Sequence, residues 1–193
     1  VAPSRGLGDV YKRQTFGRLA VVGKNVGFTG VLTVFSLLAA PYMAYVAVSS
    51  YVYVQYFGLS EQVYSYFFAA NSFFAVVGPF LYMKLIGIVS PRQFTYGCFI
   101  FTVVSAAALL TVGSISPWWF LIAFLPVTIM ESAARPFSTA ILLDQQKTDI
   151  GSASSLINAV NTVFGSLGMM LGALNWSNFI EGLGIITAVC VTL

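Results

Sequence analysis

The segment that most constrains this chain is Pro117–Leu143, PWWFLIAFLPVTIMESAARPFSTAILL. It is apolar at the length needed to cross a hydrocarbon core of about 30 Å, yet it contains Glu131 and Arg135. Four residues apart, the two side chains share one face of a helix. Charges inside a membrane-length segment are costly and rarely face lipid, so the pair has to be housed by other helices or by a wet passage. A second apolar segment follows, separated by the polar hinge Asp144-Gln145-Gln146-Lys147-Thr148-Asp149.

Composition leaves no soluble alternative. The 193 residues are 58% hydrophobic and 8% charged, with a mean hydropathy of +0.87. Soluble domains carry about 25% charged residues. There is no histidine, which excludes Ser-His-Asp and Cys-His nucleophiles and histidine metal sites. Cys98 and Cys190 both fall in apolar segments and read as small packing residues, not as a disulfide or metal site. No Walker loop, dinucleotide glycine motif or metal cluster is present, and no cofactor is expected. The net charge of +3 is a topology signal and does not point to nucleic acid.

Six spans are expected, at about 28–53, 62–84, 94–112, 117–143, 151–174 and 179–193. Residues 1–14, VAPSRGLGDVYKRQ, are polar and glycine-rich and read as a non-native tail; 15–27 reads as a cytoplasmic segment. Pro41 lies mid-way along span one, Ser60 is the expected N-cap of span two, and Gly78-Pro79 invites a kink. Span three has no ionisable group and is expected at the lipid-facing periphery. Span six, about fifteen residues or roughly 22 Å, is short for a bilayer and is expected to be truncated. With alternating spans, Arg18, Lys24, Lys84, Arg92 and Lys147 fall at one end, and Glu61 and Glu181 at the other. The excess of Lys and Arg marks the first end as cytoplasmic, with the N-terminus on that side.

Candidate functional residues lie on spans one, two, four and five. Glu131, about 20 Å below Trp118, is the expected proton or cation site, balanced by Arg135; the competing reading is a pair that only neutralises itself. Pro126 and Pro136 bracket the pair and free carbonyls, as a gate or a static bend would need. Tyr45, Ser49 and Tyr53 recur at helical spacing, either as an interfacial belt that packs or as a polar cavity wall. Asn71 is either a cavity amide or an interhelical hydrogen bond. Asn158 and Asn161 share a face of span five, and Phe67, Phe68 and Phe164 offer apolar surface to a hydrophobic substrate. Gly165, Gly168 and Gly172 form a small-residue stripe suited to close helix approach.

RPFSTAILLDQQKTDIGSASSLINAVNTVFGSLGM resembles the tenth and eleventh spans, with their joining loop, of major facilitator drug:proton antiporters of the Bcr/CflA type. YFGLSEQVYSYFFAANSFFAVVGP is similar to the end of span seven and span eight of the same family. The resemblance covers Phe28–Leu193 and implies an all-α membrane protein, the C-terminal half of a twelve-helix major facilitator fold. It further implies a cavity between two six-helix halves of inverted three-helix repeats. Its partners would be a small-molecule substrate, protons, the lipid bilayer and an N-terminal six-helix half, in the inner membrane of a bacterium. The expected activity is proton-coupled efflux of drugs or hydrophobic metabolites, not enzymatic catalysis. A sugar or metabolite uniporter or symporter on the same fold, and a non-transporting membrane scaffold, are the alternatives. The assignment of Glu131 rests on the residues alone.

Overall fold

The computed structural model describes residues 23–145 and 150–193. The tail 1–14, most of the segment 15–27 with Arg18, and Gln146, Lys147, Thr148 and Asp149 of the hinge lie outside the described residues.

Among the described residues, five helical stretches are long and apolar enough to cross a membrane: Val26–Tyr56, Glu61–Leu85, Pro91–Thr111, Pro117–Asp144 and Ile150–Gly172. A shorter apolar helix, Phe179–Thr192, follows. The chain is thus a helical, multi-pass membrane protein.

Span one is three pieces: α1 (Val26–Leu37), α2 (Ala39–Tyr51) and a π-helical turn (Val52–Tyr56). The first break has a direct cause. Pro41 has no N–H to give to the carbonyl of Leu37, four residues back. The helix pauses at Leu38, whose N–H turns back to the Phe35 carbonyl at 3.2 Å. Pro41 itself sits in the first turn of α2, where a missing donor costs nothing. At the far end, Phe57 N–H bonds the Val52 carbonyl at 3.0 Å, five residues back, and Gly58 at φ 69° turns the chain. The expectation of one regular helix over 28–53 missed both features.

α3 (Glu61–Leu85) starts at the expected cap, with Ser60 Oγ accepting from Val63 N–H at 3.3 Å. α4 (Pro91–Thr111) starts three residues before the expected Phe94. Ser90 and Gln93 cap it reciprocally, Ser90 Oγ accepting from Gln93 N–H and Gln93 Oε1 accepting from Ser90 N–H. α4 turns Phe94, Cys98, Thr102, Ser105 and Leu109 inward, and its other side exposes Tyr96, Ile100, Val103 and Val104. α5 (Pro117–Asp144) passes through Pro126 and Pro136 without interruption. α6 (Ile150–Gly172) and α7 (Phe179–Thr192) complete the bundle, with Asn178 Oδ1 capping Ile180 N–H at 3.0 Å.

Short links make successive spans antiparallel. The closest helix pairs are α3 with α5, α2 with α6, and α4 with α7; α4 with α5 and α2 with α7 come next. Exchanging spans one, two and three for four, five and six maps this set of pairs onto itself. Two contacts are made by backbone. A Cβ on Gly78 would overlap Ser132 Oγ and lie 2.6 Å from the Ile129 carbonyl, so α3 rests directly on α5. A Cβ on Gly168 would overlap the Ala40 carbonyl oxygen and lie 2.6 Å from Ala40 Cα; on Gly172 it would lie 3.1 Å from Ala44 Cα.

The core divides by depth. At the end that carries Glu61 and Glu181, aromatic rings of α2, α3 and α5 interlock around Tyr45, Tyr53, Phe67, Phe120 and Phe124. At the end that carries Lys24, Lys84 and Arg92, two smaller clusters form, one around Phe28, Leu32, Leu142 and Ile157, the other around Leu38, Phe94, Ala133 and Phe137.

Candidate functional site

α5 supplies the charged pair. Glu131 is buried, and its Oε1 accepts from Arg135 Nε at 2.5 Å, a charge-assisted bond one helical turn long. The Arg135 side chain is 50% exposed, so the carboxylate lies inside the bundle while its counter-charge reaches the bundle's flank. Among the described residues this is the one ion pair that the side chains form within 4 Å, apart from any contact of Asp144. Tyr42 of α2 lies within electrostatic reach of both members. The pair is therefore not a private feature of α5, because the helix across from it also presents a hydroxyl.

Thr128 stands one turn from Glu131 on the same face, and its Oγ1 donates to Asn71 Oδ1 of α3 at 2.8 Å. Thr128, Glu131 and Arg135 make a polar stripe along a helix otherwise packed with apolar residues. Asn71 is 1% exposed. Of its two expected roles, it occupies the interhelical one in this conformation and does not line an open space.

The residues expected to wall a cavity on span one are also enclosed. Tyr45, Ser49 and Tyr53 do share a face, and that face is packed. Tyr45 stacks on Phe124 at 4.3 Å between ring centroids and on Phe68 at 6.5 Å. Tyr53 stacks on Phe67 at 4.9 Å and meets Phe120 edge-on at 5.3 Å. Phe67 also meets Trp118 at 4.8 Å. Ser49 Oγ and Tyr64 OH lie 3.2 Å apart. The cause is size: large rings from α2, the π-helical turn, α3 and α5 interlock at this end of the bundle. The Tyr45 and Tyr53 hydroxyls are buried without a hydrogen-bond partner among the described residues.

On α6, Asn158 is exposed, and Asn161 and Phe164 are half-buried. Among the described residues, neither asparagine side chain forms a hydrogen bond. They flank the stripe that turns Gly165, Gly168 and Gly172 inward toward α2, where Met43 Cγ would lie 3.1 Å from a Cβ on Gly165.

The structure thus brings together Glu131, Arg135 and Tyr42, and separately Tyr45, Ser49, Phe67 and Phe68 with Tyr53 and Tyr64. Tyr42 and Thr128 were not singled out from the sequence. Each lies three residues from a residue that was, Tyr45 and Glu131, so the signal was helical spacing. Among the described residues, no group of three or more Cys, Asp or Glu is arranged to hold a metal ion.

What this arrangement can do is limited and clear. A carboxylate held inside a membrane-spanning helix by one reachable guanidinium can take up and give back a proton or cation as that guanidinium approaches or leaves. The arrangement offers no nucleophile with an adjacent base. Compared with known protein families, with characterised proteins and with solved structures, the chain matches none.

Proposed function

We propose that the chain is part of a secondary active transporter that couples efflux of a small hydrophobic compound to proton entry, with Glu131 as the proton site and Arg135 as its internal counter-charge. The observation that carries this reading is the burial of Glu131 in a membrane-spanning helix against an arginine that is itself half exposed. A carboxylate enclosed in the bundle with a counter-charge that is only half enclosed is the kind of intramembrane group that marks proton and ion pathways.

A further observation supports it. The pairing of spans is preserved when the first three are exchanged for the last three, the pattern expected of inverted repeats in a major facilitator half. In this reading the basic end faces the cytoplasm of a bacterial cell, and a second six-helix half covers the sparsely buried faces of α3 and α6.

The test is Glu131→Gln in the intact gene product, reconstituted in vesicles with a trapped pH indicator and a lipophilic cation such as ethidium as the transported probe. Loss of ethidium-driven proton movement with normal insertion supports the reading. Coupled transport at the unsubstituted rate removes Glu131 from the proton path. A scaffold reading is favoured by one observation, that the Asn71–Thr128 bond and the Glu131–Arg135 pair both fix helix positions. It predicts no probe movement by the unsubstituted protein.

A further inference from the structure

The first turns of α4 straddle two grooves at the basic end. One, about 450 Å³, lies between α1, α4 and α5 and is walled by Gly30, Val34, Phe35 and Tyr96, with Arg92 at its edge. The other, about 460 Å³, lies under the α3–α4 link and is walled by Leu85, Ile86, Ile88, Val89 and Phe94. They meet at Pro91, Phe137 and Ile141, which line both. Both are apolar and open, and both lie toward the end of the bundle where α1 and α4 begin and α3 and α5 end.

Two basic side chains flank the α3–α4 link, and Asp144 follows Ile141 by three residues at the end of α5. Arg92 is exposed, and no carboxylate among the described residues pairs with it. Lys84 is exposed one link away. The positive end of the α4 dipole points at the same spot. Around the junction the link exposes Ile86 (61%) and Ile88 (78%), and α4 exposes Tyr96 (68%), side chains suited to the membrane interface. Two apolar grooves that meet beside Arg92, which pairs with no carboxylate among the described residues, have the outline of a two-chained anionic amphiphile. Basic sites between membrane helices are suited to such headgroups.

We infer that the paired grooves beneath the N-terminus of α4 hold one anionic phospholipid, an acyl chain in each groove and the phosphate at Arg92. The site is independent of the transport reading and depends only on the bundle being in a bilayer.

The experiment uses the intact protein in bilayer discs of phosphatidylcholine containing a minor fraction of phosphatidylglycerol. The phosphatidylglycerol retained after transfer to mild detergent is counted by native mass spectrometry. Arg92→Ala is expected to weaken retention roughly fivefold, the worth of one basic residue at an anionic membrane surface. Arg92→Lys is expected to keep most of it. Gly30→Phe has room to fold, because nothing lies within 4 Å of a Cβ there, and its ring fills the first groove. It should displace phosphatidylglycerol without any change of charge. Equal losses from Arg92→Ala and Lys84→Ala would mean general attraction to a basic surface and would overturn the site. So would unchanged retention in Arg92→Ala, or displacement of the lipid by inorganic phosphate alone. If Gly30→Phe fails to insert, the comparison of the Arg92 and Lys84 variants decides.

Discussion

Gly168→Ala is the sharpest test of how the two sets of spans hold together. In the structure a Cβ at this position would lie 2.6 Å from both Cα and the carbonyl carbon of Ala40 and would overlap its oxygen. Ordinary contact begins at 3.4 Å, so α2 and α6 must separate by at least about 0.8 Å locally, and further to clear the carbonyl oxygen. The obstacle is backbone in the first turns of α2, which no rotamer change can relieve. Overpacking of this kind costs about 1–3 kcal/mol, and backbone contact places it near the top of that range. Alanine returns up to about 1 kcal/mol through helix propensity. The net expectation is a loss of about 2 kcal/mol. Gly30→Ala serves as the control, with open space around its Cβ and only the propensity gain. Gly165→Ala should fall between, because it meets the flexible Met43 side chain at 3.1 Å. The assay is reversible unfolding of the purified protein in mixed micelles with rising dodecyl sulfate, followed by loss of helical circular dichroism. The expected order of stability is Gly30→Ala, wild type, Gly165→Ala, Gly168→Ala. A Gly168→Ala protein as stable as Gly30→Ala would show that α2 and α6 do not touch there, and the stripe would lose its packing role.

Arg135→Ala should destabilise by about 3 kcal/mol, because it strands a buried carboxylate, while Glu131→Gln should cost under about 1 kcal/mol, because Arg135 already reaches the flank. The same unfolding titration reads both, and equal costs would contradict the asymmetry of burial. Tyr45→Phe and Tyr53→Phe remove hydroxyls that lie near each other but make no well-formed hydrogen bond among the described residues, so each should be neutral or stabilise by about 1 kcal/mol. A loss in either would reveal a partner for that hydroxyl. The coupling between Asn71→Leu and Thr128→Val in a double-mutant cycle should be about 0.6 kcal/mol, typical of hydrogen bonds between membrane helices, and zero coupling would mean the 2.8 Å contact is not made.

Much of the bundle was legible in the chain because membrane spans are written in long apolar runs. The cap at Ser60 followed from a hydroxyl placed just before such a run, and α5 ends within one residue of its expected limit, Leu143. The start of α4 was misread because Pro91 looked like part of a connecting loop, although Ser90 and Gln93 at cap spacing announced a helix there. Which side of a polar residue faces a neighbour was not legible. Tyr45, Ser49 and Asn71 are polar at helical spacing, and spacing alone does not separate a wet wall from a closed seam. In this conformation Tyr45 stacks on Phe124 and Asn71 bonds Thr128, and both partners lie on α5, far along the chain. Tyr42 was passed over because its partner charges are likewise on α5.

The interruption at Leu38 makes span one a jointed rod, not a single strut. The segment after the joint is clamped, since Ala40 and Ala44 press against the glycines of α6 main chain to main chain. Among the described residues the segment before the joint is held by side chains, Phe28 and Leu32 against Leu142 and Ile157 and Phe35 against Phe137. With no N–H from Pro41 to bridge the joint, no continuous backbone ladder braces one segment of the span against the other.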